Sequence, residues 1–124
     1  MSASDIWIEK IPSLLMADGL EVKRGQRLKI DGTGKIAIAD AADKWIGLAK
    51  VDAKQGVGTN GNYLAVQDKK CPGVFGVQAE DAITAGTEVD LADAGHVKAT
   101  LGVDPVGVAI SDAAADEVVQ VIFY

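Results

Sequence analysis

The stretch Val22-Lys-Arg-Gly25-Gln-Arg-Leu28-Lys-Ile30, continued by Gly34-Lys-Ile36 and Ile46-Gly47-Leu48-Ala49, returns further along the chain. Its echo is Ile83-Thr-Ala-Gly86-Thr-Glu-Val89-Asp-Leu91, Gly95-His-Val97 and Val106-Gly107-Val108-Ala109. The offset is 61 from Gly25/Gly86 to Ile36/Val97 and 60 at Gly47/Gly107 and Ala49/Ala109, so a single deletion separates two copies of one pattern. The recurring positions are glycines and alternating aliphatics, which specify turns and strands. No acid, base, nucleophile or metal ligand recurs with them, so the duplication preserves architecture rather than chemistry.

Each copy reads the same way. Gly25 or Gly86 opens it, and an alternating strand follows with Leu28 and Ile30, or Val89 and Leu91. A tight turn, Asp31-Gly32-Thr33-Gly34 or Asp93-Ala94-Gly95, sends the chain back into a strand that begins at Ile36 or Val97. Glycine reaches positive φ without steric cost and Asp caps such turns, which makes each opening a hairpin. After a polar, Ala-rich link comes Trp45-Ile-Gly-Leu-Ala49 or Pro105-Val-Gly-Val-Ala109. Apolar on both faces apart from its glycine, this run predicts a buried central strand in which Gly47 or Gly107 admits a close backbone or a bulge. Tyr63-Leu-Ala-Val-Gln67 and Val118-Val-Gln-Val-Ile122 close the copies, the first after an inserted loop from Gly56 to Gly61 whose Asn60-Gly61 marks a tight turn.

Val74-Phe-Gly-Val77 adds a candidate strand between the copies, and Asp40 to Asp43 and Ser111 to Asp116 suit single helical turns. Strands spaced by about ten residues and punctuated by Gly and Asp predict a mainly β chain. The expected fold is a small antiparallel β-barrel or sandwich built from two quasi-symmetric repeats with a pseudo-twofold relation. Repeat one runs over about 22–67, a linker over 68–82 and repeat two over about 83–124, within a single β domain at 21–124.

Residues 1–20 stand outside both copies as an N-terminal arm or edge segment, although Ile6-Trp-Ile8 and Ile11-Pro-Ser-Leu-Leu-Met16 are among the most hydrophobic pieces of the chain. Two readings stand: an extra strand plus a turn that closes the barrel, or an arm that leaves the body and packs on a neighbouring subunit. Large apolar groups on an arm require a partner to cover them. Ile6, Trp7, Ile8, Ile11, Leu14, Leu15 and Met16 are therefore candidate interface residues. Trp45 joins them, since it stands where the second copy has Pro105 and serves either as a core plug or as an aromatic anchor.

With 124 residues the chain fits one domain, and a hydrophobic fraction of 48% suffices for one core. Only 5% of residues are aromatic, so each apolar side chain contributes little burial and help from association is expected. A net charge of −6 sets repulsion between this surface and a nucleic-acid backbone. The basic cluster Lys23, Arg24, Arg27 and Lys29 and the pair Lys69-Lys70 read as solvated strand faces and a loop. One cysteine, Cys71, makes no intramolecular disulfide, and its only conceivable base, His96, lies in the second hairpin turn. No apolar run approaches a membrane span and the N-terminus lacks a signal-peptide pattern, so no membrane partner and synthesis in the cytoplasm without export are expected.

Enzyme signatures fail in turn. Gly56-Val-Gly-Thr-Asn-Gly61 lacks the Lys-Ser/Thr of a phosphate loop and precedes a strand. One Cys and one His are too few for a closed zinc site, and Asp31-Gly-Thr-Gly34 lacks the spaced carboxylates of a calcium loop. Glu80-Asp81 and Asp116-Glu117 point to opposite faces if extended, and Asp43 and Lys44 are read as unpartnered. No catalytic residue, metal or cofactor is expected.

The pattern of Gly25, Leu28, Ile30, Gly34-Lys-Ile36, Ile46-Gly-Leu-Ala49, Ala85-Gly-Thr-Glu-Val89, Leu91, Gly95, Val97 and above all Pro105-Val-Gly-Val-Ala109 before a closing strand resembles the capsid-cement or head-decoration proteins of tailed bacteriophages. The likeness covers about residues 20–124 and is carried by structural glycines (Gly25, Gly34, Gly47, Gly86, Gly95, Gly107) and aliphatics. It implies a β-rich body on the exterior of the virion capsid that binds the major capsid protein, often as a homotrimer, with N-terminal segments gripping the shell. It carries no catalytic residues. The alternatives are a glycan-binding β module and a barrel-sandwich carrier module, which needs a modifiable lysine exposed on a hairpin between the halves, usually beside Met, a context that Lys69-Lys70 near the junction lacks.

Overall fold

A computed structural model describes residues 13–55, 63–70, 73–100 and 104–124. Among these residues the chain is all β, with antiparallel strands and no helix. Unit one holds β1 (Ser13–Leu15), β2 (Glu21–Val22), β3 (Arg27–Ile30), β4 (Ile36–Ile38), β5 (Gly47–Ala49), β6 (Ala53–Lys54) and β7 (Tyr63–Asp68). Unit two holds β8 (Phe75–Gln78), β9 (Glu88–Leu91), β10 (Val97–Ala99), β11 (Gly107–Ala109) and β12 (Val118–Phe123).

The two sheets have one plan. Sheet one runs β1-β7-β5-β3-β4, and sheet two, read from its β8 edge, runs β8-β12-β11-β9-β10. Even the register is copied: Leu28 faces Ile38 as Val89 faces Ala99, and Ala49 faces Val66 as Ala109 faces Val121. The β2–β6 ribbon, in which Val22 pairs with Ala53, reappears as a lone bridge between Ile83 and Ala113. The hairpins at Asp31–Lys35 and Ala92–His96 and the central strands β5 and β11 fall where the glycine pattern sets them. A Cβ on Gly47 or Gly107 would overlap the carbonyl oxygen of Gln67 or Ile122 on the adjacent strand, so these positions admit only glycine.

The N-terminal stretch enters this plan. β1 pairs with β7 as β8 pairs with β12, and Met16 then bridges to Ile36 as Ala79 bridges to Val97. Ser13 to Met16 therefore occupy in sheet one the place of Gly76 to Ala79 in sheet two. These bridges touch the two outer strands of each sheet together at one point. Neither sheet closes into a barrel, and a sandwich-like fold results. Asp40–Asp43 and Ala114–Glu117 are single hydrogen-bonded turns rather than helical ones, each held by the fourth residue's carboxylate on the first residue's N–H.

Each unit buries its own inner face. Met16, Val22, Leu28, Ile36, Ala49, Leu64 and Val66 form the core of unit one. Their counterparts Ala79, Ile83, Val89, Val97, Ala109, Val119 and Val121 are all buried in unit two. Fully burying each Val, Leu or Ile stabilises by roughly 1.5–3 kcal/mol, which explains how a chain poor in aromatics holds two small cores.

Candidate interaction surfaces

Unit two sits on the outer face of unit one. Arg27, which follows the turn at Gly25 and alternates with core-facing Leu28, is fully buried rather than solvated. Its guanidinium donates to the Ala92 carbonyl through Nη2 and to the His96 carbonyl through Nε at 3.2 Å. Nη1 is buried without a partner among the described residues. Burial pulls this guanidinium down to about 10, against the opposing pull of Asp40, Asp43 and Asp93. The backbone continues the contact: Arg27 N–H donates to the Gly95 carbonyl at 2.9 Å, and Gly95 N–H donates to the Ala39 carbonyl at 2.7 Å. Asp93 and Asp40 exchange carboxylate contacts with the N–H groups of Ala41 and Ala94 at 3.0 Å each.

An aromatic cluster seals the same junction. Trp45 of unit one lies 5.1 Å from Phe123 and 6.4 Å from Phe75, both of unit two, with centroid distances suited to edge and tilted packing. Lys69 Nζ lies 4.8 Å over the Trp45 ring. This position departs from Pro105 because it plugs the space between the units. Lys29 and Asp43 form an ion pair at 2.9 Å, which corrects the reading of Asp43 as unpartnered. Asp40 N–H and Lys29 together hold the Asp43 carboxyl below its ordinary range.

The contact is head to tail, not twofold. A twofold interface repeats each contact reciprocally. Gly95 lies against Arg27, yet a Cβ added to Gly34, its counterpart, would meet nothing within 4 Å among the described residues, and Glu88, the counterpart of Arg27, is exposed.

Of the candidate interface residues, Met16 and Trp45 are buried within the chain and present little surface to another molecule. Leu15 is half-buried, Leu14 lies in β1, and Ile6, Trp7, Ile8 and Ile11 fall outside the described residues, as do Cys71 and the Gly56–Gly61 loop. Exposed apolar side chains occur in both units, Ile30, Val51 and Tyr63 in the first and Val74, Ile110, Ile122 and Tyr124 in the second. Ile122 is 42% exposed and cross-strand from half-buried Val108, and Tyr124 is 72% exposed with its hydroxyl donating to Glu88 at 2.7 Å. That signal was present in the sequence as the odd members of Val118-Val-Gln-Val-Ile-Phe-Tyr124.

A cleft of about 370 Å³ opens at the junction, lined by Lys23, Gln26, Asp52, Gln78, His96 and Asp116. His96 Nε2 and Asp116 stand 3.6 Å apart there, with Asp116 largely exposed. Among the described residues no group of three His, Cys, Asp or Glu is placed to hold a metal.

The sequence matches no protein-family model and no curated protein. The fold is similar to that of the N base of the head fiber gp8.5 in bacteriophage phi29, with a TM-score of 0.64, 15% identity, and coverage of 90% of this chain and 91% of that one. At that identity the likeness is one of fold.

Proposed function

We propose that this chain is a structural virion protein that binds the outer surface of a phage capsid through the major capsid protein and stabilises it, acting as a homotrimer and catalysing no reaction. The observation that carries the reading is the fold shared, over nearly the whole of both chains, with a protein of a phage head fiber. The glycine and aliphatic pattern ending in Pro105-Val-Gly-Val-Ala109 resembles cement proteins independently of that likeness. A cement protein works by adding buried contact across seams between shell subunits, which calls for a rigid body and apolar segments to grip with. Two small cores locked by Arg27 and Trp45 supply the first, and the apolar residues Ile6, Trp7, Ile8 and Ile11 ahead of β1 are proposed for the second. An acidic surface limits adhesion to DNA.

Mixing the purified protein with undecorated expanded heads tests the proposal. Saturable co-sedimentation at about micromolar concentration is expected, and recovery of all the protein in the supernatant overturns it.

A further inference from the structure

The strand face and the turn of the internal contact each exist a second time, without the aromatic seal, since Trp45 and Phe123 correspond to Pro105 and Asp68. Arg27 and Leu48, paired across β3 and β5, are 0% and 1% exposed because unit two lies over them. Glu88 and Val108 pair in the same register on β9 and β11 and continue to Ile122, but here Glu88 and Ile122 are exposed and Val108 is only half-buried, with the Tyr124 hydroxyl on Glu88. The covering half is duplicated as well. The Ala92–His96 turn has its counterpart in Asp31–Lys35, whose glycines are exposed. Val118, which lies against Gly25, has its counterpart in Tyr63, which is 66% exposed.

We infer that the unused halves meet between chains, the Asp31–Lys35 turn and Tyr63 of one copy settling on the Glu88–Val108–Ile122 face of another. Charge favours this pairing. The face is acidic at Glu88 where the internal one is basic at Arg27, and the incoming turn carries Lys35 where the internal one carries His96. Lys35 Nζ otherwise holds only a 3.7 Å pair with the exposed Asp18 among the described residues. Covering Ile122 and Tyr124 removes apolar surface from water, which supplies the driving force. The latch is not identical: Asp93 and Gln26, which bond across the internal junction, correspond to Gly32 and Thr87. The contact between chains is therefore weaker than the one within a chain and depends on concentration. Being head to tail, it closes into a ring or runs on as a filament. This inference gives surfaces to the self-association proposed above and does not depend on capsid binding.

Sedimentation velocity on the free protein across about 1–100 µM, with Lys35→Glu, Glu88→Lys and the double exchange, provides the test. The wild type is expected to associate, each single reversal to weaken association by about tenfold or more, and the double exchange to restore it. Zero-length carbodiimide cross-linking of the wild type should join the Lys35 and Glu88 peptides of different chains, a readout that does not depend on how the variants fold. A wild type that stays monomeric throughout, or one that associates without this cross-link and indifferently to both reversals, overturns the inference. A monomer whose capsid binding is abolished by Glu88→Lys also overturns it, by assigning the face to the shell; capsid binding that fails while self-association persists counts against the proposed function alone.

Discussion

Trp45 and Phe123, whose ring centroids lie 5.1 Å apart, belong to different units and join them. Trp45 shares one buried cluster with the core of unit two, so truncating the indole leaves a cavity there, while the core of unit one stays intact. Trp45→Ala is expected to cost about 3–5 kcal/mol, as for large-to-small changes at buried aromatics. Urea unfolding followed by circular dichroism checks this, and a transition that broadens or splits would show that the units lose their coupling.

Arg27 is a buried cation whose partners are backbone carbonyls. Arg27→Ala strands the Ala92 and His96 carbonyls and empties the space of the stem, so a loss of about 2–4 kcal/mol is expected. Arg27→Met keeps the stem packing and removes the cost of burying a charge, and should lose less than half as much. Equal losses in thermal unfolding would mean that the guanidinium, not its stem, holds the junction.

Gly34 and Gly95 are counterparts with similar positive φ, 82° and 75°, but only Gly95 is crowded. A Cβ at Gly95 would stand 2.9 Å from the Arg27 nitrogen. Gly34→Ala should cost only the conformational penalty of about 1–2 kcal/mol. Gly95→Ala should cost clearly more and displace the turn, which chemical-shift changes at Arg27 and Ala39 would report.

Acid should destabilise the turns before the cores. Asp31 is held below its ordinary 3.8 by the Thr33 hydroxyl and by the N–H groups of Lys35 and Thr33, and Asp43 by Asp40 N–H and Lys29. A carboxyl lowered on folding contributes stability that is complete above its unfolded value and is lost as pH falls through the lowered one. The melting temperature is therefore expected to fall below about pH 4, and Asp31→Asn and Asp43→Asn should each lower it at neutral pH while flattening that decline.

Much of the scaffold was legible because its signals are local. Alternating aliphatics and turn glycines mark β3, β4, β5 and their counterparts, and glycine at 47 and 107 reports a strand too close for a side chain. Ser13-Leu-Leu-Met16 hid its place because it shares no residue with Gly76-Val-Gln-Ala79, since pairing uses backbone groups that any residue carries. The one-sided docking hid for a related reason. It is written in positions where the copies differ, Arg27 against Glu88 and Trp45 against Pro105, and Arg27 within a run of basic residues reads as solvated until unit two is placed over it.

The melting of expanded heads, followed by scanning calorimetry with and without bound protein, tests the cementing role most directly. Saturating protein should raise the shell transition by several degrees, as mass action requires of a ligand that binds only the assembled state. A shell that binds the protein yet melts at an unchanged temperature would contradict the account.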